Sequence, residues 1–354
     1  MEGKRLESLD ILRGADMFLL LFLGPVLRGL CKVFPDGTAW LSHQLQHVRW
    51  EGFVTWDLIM PLFLFLSGIT IPFSMARYRQ GLRPDGKFFL KLLRRFCLLF
   101  LLGWIVQGNL LLLDWKQFHP FANTLQAIAV GYVVAALCFV YLKPRWQLAV
   151  GVLLAAAYWL AFILTDMNLD PQGNVAMTVD KAVLGSHRDG VAWAEDGSWR
   201  FMKRYQYTWI LSSLNFAVTV LLGCWAGQVL RAEKFAPARR ALLLAGVGTA
   251  LVAAGWALSP LFPIIKKIWS STFTLYSGGL CCLLTALTYY AVDVRGWKKG
   301  LSWLKIYGMN AITVYVAGEL LHPDGPSLWI TLAKVSGLFL LMLIMYKKKI
   351  FLKV

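Results

Sequence analysis

The chain has 354 residues, 58% of them hydrophobic, and a formal net charge of +17. Its mean hydropathy of +0.58, with apolar stretches of about 20 residues recurring from end to end, excludes a soluble domain. The positive charge does not mark a nucleic-acid binder, because the cations cluster at the ends of apolar runs.

Ten membrane spans are predicted, at about 15–33, 53–76, 92–113, 121–142, 146–165, 208–230, 240–259, 270–292, 302–321 and 328–346. This is an all-α polytopic membrane helix bundle, one transmembrane domain over residues 1–354 with an outer loop at about 166–207. Lys4, Arg5, Arg13, the seven cations from Arg77 to Arg95, Lys143, Arg145, the group from Arg231 to Arg240, Arg295, Lys298, Lys299, Lys305 and the closing Lys347, Lys348, Lys349 and Lys353 then all fall on one side. They outnumber Arg49, Lys116, Lys266, Lys267 and the basic residues of the long loop on the other. Both termini are therefore expected in the cytoplasm.

The first span is not read as a cleaved signal. It is long, carries Asp10, Arg13 and Asp16 at its entrance and lacks an Ala-x-Ala site. For Arg13 an ion pair with Asp10 or Asp16 is the structural expectation. Before the second span, a polar loop ends in Gln46-His-Val-Arg-Trp-Glu-Gly52, and Asp57 lies only five residues inside the apolar run that follows. A carboxylate at that depth costs roughly 2.5–3.5 kcal/mol without a partner or a wet cavity, so His47 and Asp57 are singled out together. The plain alternative is an interfacial His beside a packing Asp.

Seven cations in nineteen residues between the second and third spans suit a polyphosphate, although positive-inside topology alone also produces them; Arg94 and Arg95 sit nearest the membrane. Asn123 and Gln126 are one turn apart early in the fourth span, and Asn215 lies within the sixth. The loop at 166–207 mixes Asp166, Asp170, Asp180, Asp189, Glu195 and Asp196 with Trp193, Trp199, Tyr205 and Tyr207. That combination suits a carbohydrate or amine, but equally an ordinary solvated loop with an interfacial aromatic belt. On the ninth span Asn310 lies below Tyr315 and Glu319, and Glu319 has no basic neighbour in sequence. The six cysteines lie in or beside apolar runs and are read as packing residues, with neither metal site nor disulfide framework. No Walker loop, dinucleotide fingerprint, nucleophile elbow or His-Glu-x-x-His pair is present.

Several segments, in order, resemble the heparan-α-glucosaminide N-acetyltransferase family, the lysosomal transmembrane acetyltransferase and its bacterial relatives. They are Arg5-Leu-Glu-Ser-Leu-Asp-Ile-Leu-Arg-Gly14; His47-x-x-Trp50-x-Gly52 with Asp57-Leu-x-x-Pro-Leu-Phe-Leu-Phe; Leu125-Gln126; Leu222-Gly-x-x-Ala-Gly227; Val292-Asp-Val-Arg-Gly296; Gly308-Met-Asn310 with Glu319; and Tyr346-Lys-Lys-Lys-Ile-Phe351. The resemblance implies an acetyl group passed from cytosolic acetyl-CoA to the amine of a glucosamine-type sugar or other glycan across the membrane. It places His47 at the active-site histidine, as general base or as acetylated intermediate. With it, Asp57 and Glu319 are the expected catalytic partners, and Trp50, Gln126, Asn215 and Asn310 the expected substrate contacts. Arg13, Arg94 and Arg95 are the expected coenzyme contacts, with no metal, no nucleic acid, and room for a homodimer. Ala127 stands where the lysosomal enzyme has Arg, and Ala317-Gly318-Glu319 where it has Gly-His-Glu. The family's long luminal N-terminal domain is missing, so a bacterial inner-membrane protein with its acceptor site facing the periplasm is expected. The rival reading is a secondary transporter of a small polar or sugar-like solute using Asp57 and Glu319. Its paired, Gly/Pro-broken helices in two related halves are not seen.

Overall fold

A computed structural model describes residues 6–352; Lys4, Arg5 and Lys353, among the cations expected on the cytoplasmic side, lie outside that range. The chain is an all-α membrane bundle. Eight helices are long and apolar enough to cross a bilayer: α1 (Glu7–Val33), α2 (Thr55–Ser74), α4 (Thr124–Tyr141), α5 (Pro144–Ile163), α7 (Ser213–Arg231), α8 (Pro237–Ala257), α9 (Ser271–Val294) and α11 (Leu328–Lys347). Two further helices occupy predicted spans. The first, α3 (Gly86–Val106), carries Lys87, Lys91, Arg94 and Arg95 in its first half. It starts six residues before the predicted span because Asp85 caps it, accepting from the Phe88 amide, and it stops before Gly108 and the left-handed Asn109. The other, α10 (Ala311–Leu321), is cut off from the short turn Lys305–Gly308 by a break at Met309 and Asn310.

Helix contacts depend on missing side chains. A methyl added at Gly223 would lie 2.0 Å from the Phe65 carbonyl oxygen, and one at Gly68 would lie 2.0 Å from that of Val220. The α2 and α7 backbones therefore touch through glycine on both sides, the small-residue packing expected where lipid gives helices no hydrophobic reason to associate. Gly14 and Gly308 do the same for α1 against the Lys305–Gly308 turn. Around these seams a core that includes Leu64, Leu99, Leu125, Ile128 and Val220 is fully or nearly fully buried. By contrast α5, α8 and α11 bury about a fifth of their apolar windows or less, as lipid-facing helices do.

The segment read as an open outer loop is built. It holds α6 (Val175–Leu184) and a hairpin of β1 (Val191–Trp193) with β2 (Trp199–Phe201), pairing Val191 with Phe201 and Trp193 with Trp199. Asp180 on α6 accepts from the backbone amides of Trp209 (2.8 Å) and Ile210 (2.9 Å), which fixes this cap on the approach to α7.

Candidate functional site

His47 and Asp57 meet. The loop before α2 is tied down at three points: the Gly52 amide donates to Ile264 O (2.9 Å), the Thr55 amide donates to Gln44 Oε1 (3.0 Å), and Lys267 Nζ donates to Arg49 O (2.6 Å). Gly52, at φ +113°, makes the turn that other residues resist. The chain then enters α2 through a tight turn in which the Val54 amide donates to Asp57 Oδ2 at 3.2 Å. The other oxygen, Oδ1, lies 2.7 Å from His47 Nδ1, with Asp57 wholly buried and the imidazole 39% exposed. A carboxylate can only accept, so the Nδ1 proton points to Asp57 and Nε2 keeps its lone pair.

A third group completes the cluster. Lys266, in the connection between α8 and α9, is 5% exposed and places Nζ 3.4 Å from Asp57 Oδ1. Its Nζ also lies 3.0 Å from His47 Nδ1 and 3.5 Å from Nε2. Because Nδ1 already donates to the nearer carboxylate, the ammonium is read as the partner of Asp57, not as a donor to the ring. Burial brings Lys266 down to about 8, against the pull of Asp57. Burial also lowers His47; the hydrogen bond to Asp57 opposes this and the Lys266 charge adds to it. Burial thus favours the neutral imidazole, held between a carboxylate and an ammonium, with only a long 3.5 Å contact from Lys266 Nζ at Nε2.

The cluster opens on a cavity of about 440 Å³, within the size range of small-molecule sites. Its walls come from helix ends at one side of the bundle: Gln107 after α3, Asn123 and Thr124 at the start of α4, Glu319 at the end of α10, and Tyr207, Trp209 and Trp269 beside α7 and α9. Glu319 accepts from Gln107 Nε2 at 3.2 Å. Met17, before a π-turn at Leu19–Leu23, and Leu20 within it also line the cavity, and Trp56 packs onto Gly24 just after the turn.

A second cavity, about 280 Å³, lies at the other end of the same helices, between Ser74, Met75, Tyr78, Lys91, Arg95 and Tyr132. Arg95 stacks over Tyr132, 3.9 Å from the ring centre, and its Nε is buried without a partner. Thr124 and Tyr132 mark the two cavities on α4, eight residues and therefore about 12 Å apart. Leu64, Leu99, Leu125 and Ile128 fill the level between them.

The other singled-out residues lie elsewhere. Arg94 is exposed and does not line the second cavity, and Arg13 pairs with Asp10 at 3.7 Å. Gln126 donates to Pro120 O and accepts from the Ala122 amide, holding the turn into α4. Asn215 donates to Trp269 O (2.8 Å), and Asn310 donates to Ile350 O (3.0 Å) and accepts from the Leu352 amide. Trp50 packs in a cluster with Tyr158 and Phe262. None of these six lines either cavity; Gln126, Asn215 and Asn310 satisfy backbone and Trp50 closes the core. Lys266 and Gln107 were not singled out from sequence, while Arg77, one of the seven clustered cations, lines the second cavity. Lys266-Lys267, a basic pair on the sparsely basic outer side inside the apolar segment Pro263-Ile-Ile-Lys-Lys-Ile-Trp269, was the available signal. Among the described residues no group of three His, Cys, Asp or Glu is placed to hold a metal.

Comparison with curated proteins finds heparan-alpha-glucosaminide N-acetyltransferase of Mus musculus, 25% identical over an alignment of 415 positions that takes in 99% of this chain and 61% of the relative. The Homo sapiens protein of that name is 25% identical over 413 positions, covering 99% of this chain and 60% of the relative. The chain thus spans about three fifths of the length of the curated relatives it matches. No family model matches it.

Proposed function

We propose that this protein is a transmembrane acetyltransferase, taking the acetyl group of acetyl-CoA on its Lys/Arg-rich face and passing it to the amine of a glucosamine-type sugar in the His47 cavity. The observation that carries this reading is the pair of cavities on opposite ends of α2, α3 and α4, one cationic and one built around a neutral, oriented imidazole. The name of the two relatives, which match nearly the whole chain, supports the same reaction class.

The chemistry needs few parts. The amine nitrogen attacks the thioester carbonyl carbon, the new C–N bond forms as the C–S bond breaks, and coenzyme A leaves as the thiolate. His47 Nε2 takes the proton the amine loses, and Asp57 stabilises the positive charge that appears on the ring, while the Lys266 ammonium opposes that charge and so keeps the resting imidazole neutral. The thioester is already activated, so direct transfer needs no acetylated enzyme. On the inner side Arg77, Lys91 and Arg95 suit the phosphates of the donor, and the unpaired Arg95 Nε is a donor waiting for an acceptor. For the acetyl group to reach His47, the pantetheine arm must part the layer of Leu64, Leu99, Leu125 and Ile128.

Arg95→Ala tests the donor site in an acetyl-CoA-dependent assay of glucosamine acetylation with purified protein. A hydrogen bond to a charged group contributes roughly 1.5–3 kcal/mol, so the apparent KM for acetyl-CoA should rise at least about tenfold. The KM for glucosamine and the rate at saturating donor should stay within about twofold, because the lost contact is far from the reacting atoms. An unchanged donor KM would remove Arg95 from the site.

A further inference from the structure

The outer cap carries a buried acid whose geometry is unfinished. Asp189, 6% exposed, follows Arg188 at the turn into the hairpin and lines the His47 cavity. Its Oδ2 accepts from Trp209 Nε1 (2.9 Å) and from the Tyr205 hydroxyl, while Oδ1 has no partner. Arg188, fully buried behind it, donates to Tyr207 O (2.9 Å) and leaves Nε and Nη1 unpaired, so its charge is shared with Asp189 and Asp180 without a direct ion pair. Burial raises Asp180 to about 6 and Asp189 to about 7. Asp189 thus touches the cavity while its Oδ1 is closed off from solvent, so a hydroxyl entering beside Tyr205 and Trp209 would reach that oxygen by a turn of the side chain toward the cavity.

The rest of the wall says what that is. Tyr205, Tyr207, Trp209 and Trp269 offer flat apolar faces, as a sugar ring requires. Among the described residues no arginine lines this cavity, Lys266 is engaged by Asp57, and Lys267 donates to Arg49 O and Gln206 Oε1. The remaining charged groups on the wall are the carboxyl groups of Asp189 and Glu319.

We propose that Asp189, on the wall formed by Tyr205, Tyr207 and Trp209, is a specificity-determining subsite that accepts hydrogen bonds from the hydroxyls of an amino sugar carrying no sulfate. The amine then faces His47, the ring lies on the aromatic wall, and a sulfate ester is rejected because it would be desolvated beside two carboxyl groups with no free cation to receive it. The proposal rests on the acetyltransferase reading for its assay but not for its binding readout.

The test compares kcat/KM for glucosamine and glucosamine 6-sulfate at saturating acetyl-CoA, in the full-length chain and in Asp189→Asn, with thermal unfolding and acetyl-CoA binding checked alongside. The parent should prefer glucosamine by about tenfold or more, and Asp189→Asn should lose roughly tenfold on glucosamine with little change on the sulfate, so that the preference collapses. Equal use of both sugars by the parent, or equal losses on both in the variant, would overturn the subsite while leaving the acetyltransferase reading intact. If neither sugar is acetylated, that reading fails, and calorimetric binding of glucosamine decides the subsite. Binding weakened about tenfold by Asp189→Asn upholds it, and binding that is absent from the parent or equal in both proteins overturns it.

Discussion

His47→Ala should abolish acetyl transfer while the protein still folds and still binds acetyl-CoA. The ring is 39% exposed and sits at the end of a loop anchored by Gly52, Thr55 and Lys267, none of which needs the imidazole, so little packing is lost. What goes is the lone pair at Nε2. General acid–base catalysis typically contributes 10²–10⁴-fold, and the loss of kcat/KM should fall in that range or beyond it. Turnover within about tenfold of the parent, measured on monodisperse protein with an unshifted Tm, would take His47 out of the mechanism.

Removing either member of the Asp57–Lys266 pair should move the pH profile in opposite directions. The acid limb of kcat/KM reports protonation of the free enzyme's base, here His47. Lys266 lowers His47 by charge repulsion and Asp57 raises it by hydrogen bonding and attraction. Lys266→Met therefore shifts the acid limb to higher pH, costing about tenfold at acidic pH with recovery as the pH rises, since each factor of ten is about 1.4 kcal/mol of lost coupling. Asp57→Asn shifts the limb to lower pH. Its kcat/KM also falls by about 100-fold or more at every pH, because the group that selects the Nδ1–H tautomer and stabilises the imidazolium is gone. Shifts of the same sign in both variants, or none, would mean that the cluster only packs. A rate per folded molecule equal to the parent's in Asp57→Asn would say the same of that carboxylate.

Much of the bundle was legible because lipid leaves a long apolar signal, and the eight clearest helices lie at predicted spans with ends moved by a few residues, except that α1 starts at Glu7, well before the predicted 15, because its first turns carry the charged Glu7, Asp10 and Arg13. Where α3 differs, the local signal was present: Pro84-Asp85 is a helix-start pair, outweighed in the hydropathy pattern by the four cations that follow. His47 and Asp57 stood out because they are ten residues apart and one lies inside an apolar run. Their partner Lys266 did not, being 219 residues from His47 and resembling any loop cation. The polar residues within spans show the limit from the other side. An amide in the membrane has two solutions, a cavity or a backbone carbonyl, and sequence does not distinguish them. Asn123 does both, lining the cavity while donating to the Gly103 carbonyl, whereas Gln126, Asn215 and Asn310 only hold backbone or core. The outer cap was hidden for the same reason as Lys266, since Asp180, Arg188 and Asp189 are buried by contacts with residues 205–210 that no local pattern announces.

Transfer across the membrane is the central claim, and sealed proteoliposomes of known orientation test it most directly, with acetyl-CoA and glucosamine supplied separately to the two faces. Acetylglucosamine should form when the donor is on the Lys/Arg-rich face and the amine on the His47 face, with coenzyme A recovered on the donor side, and should not form when both substrates share either face. Product formed with both substrates on one side would contradict the account, and so would uptake of unmodified glucosamine without acetylation, the behaviour of a transporter.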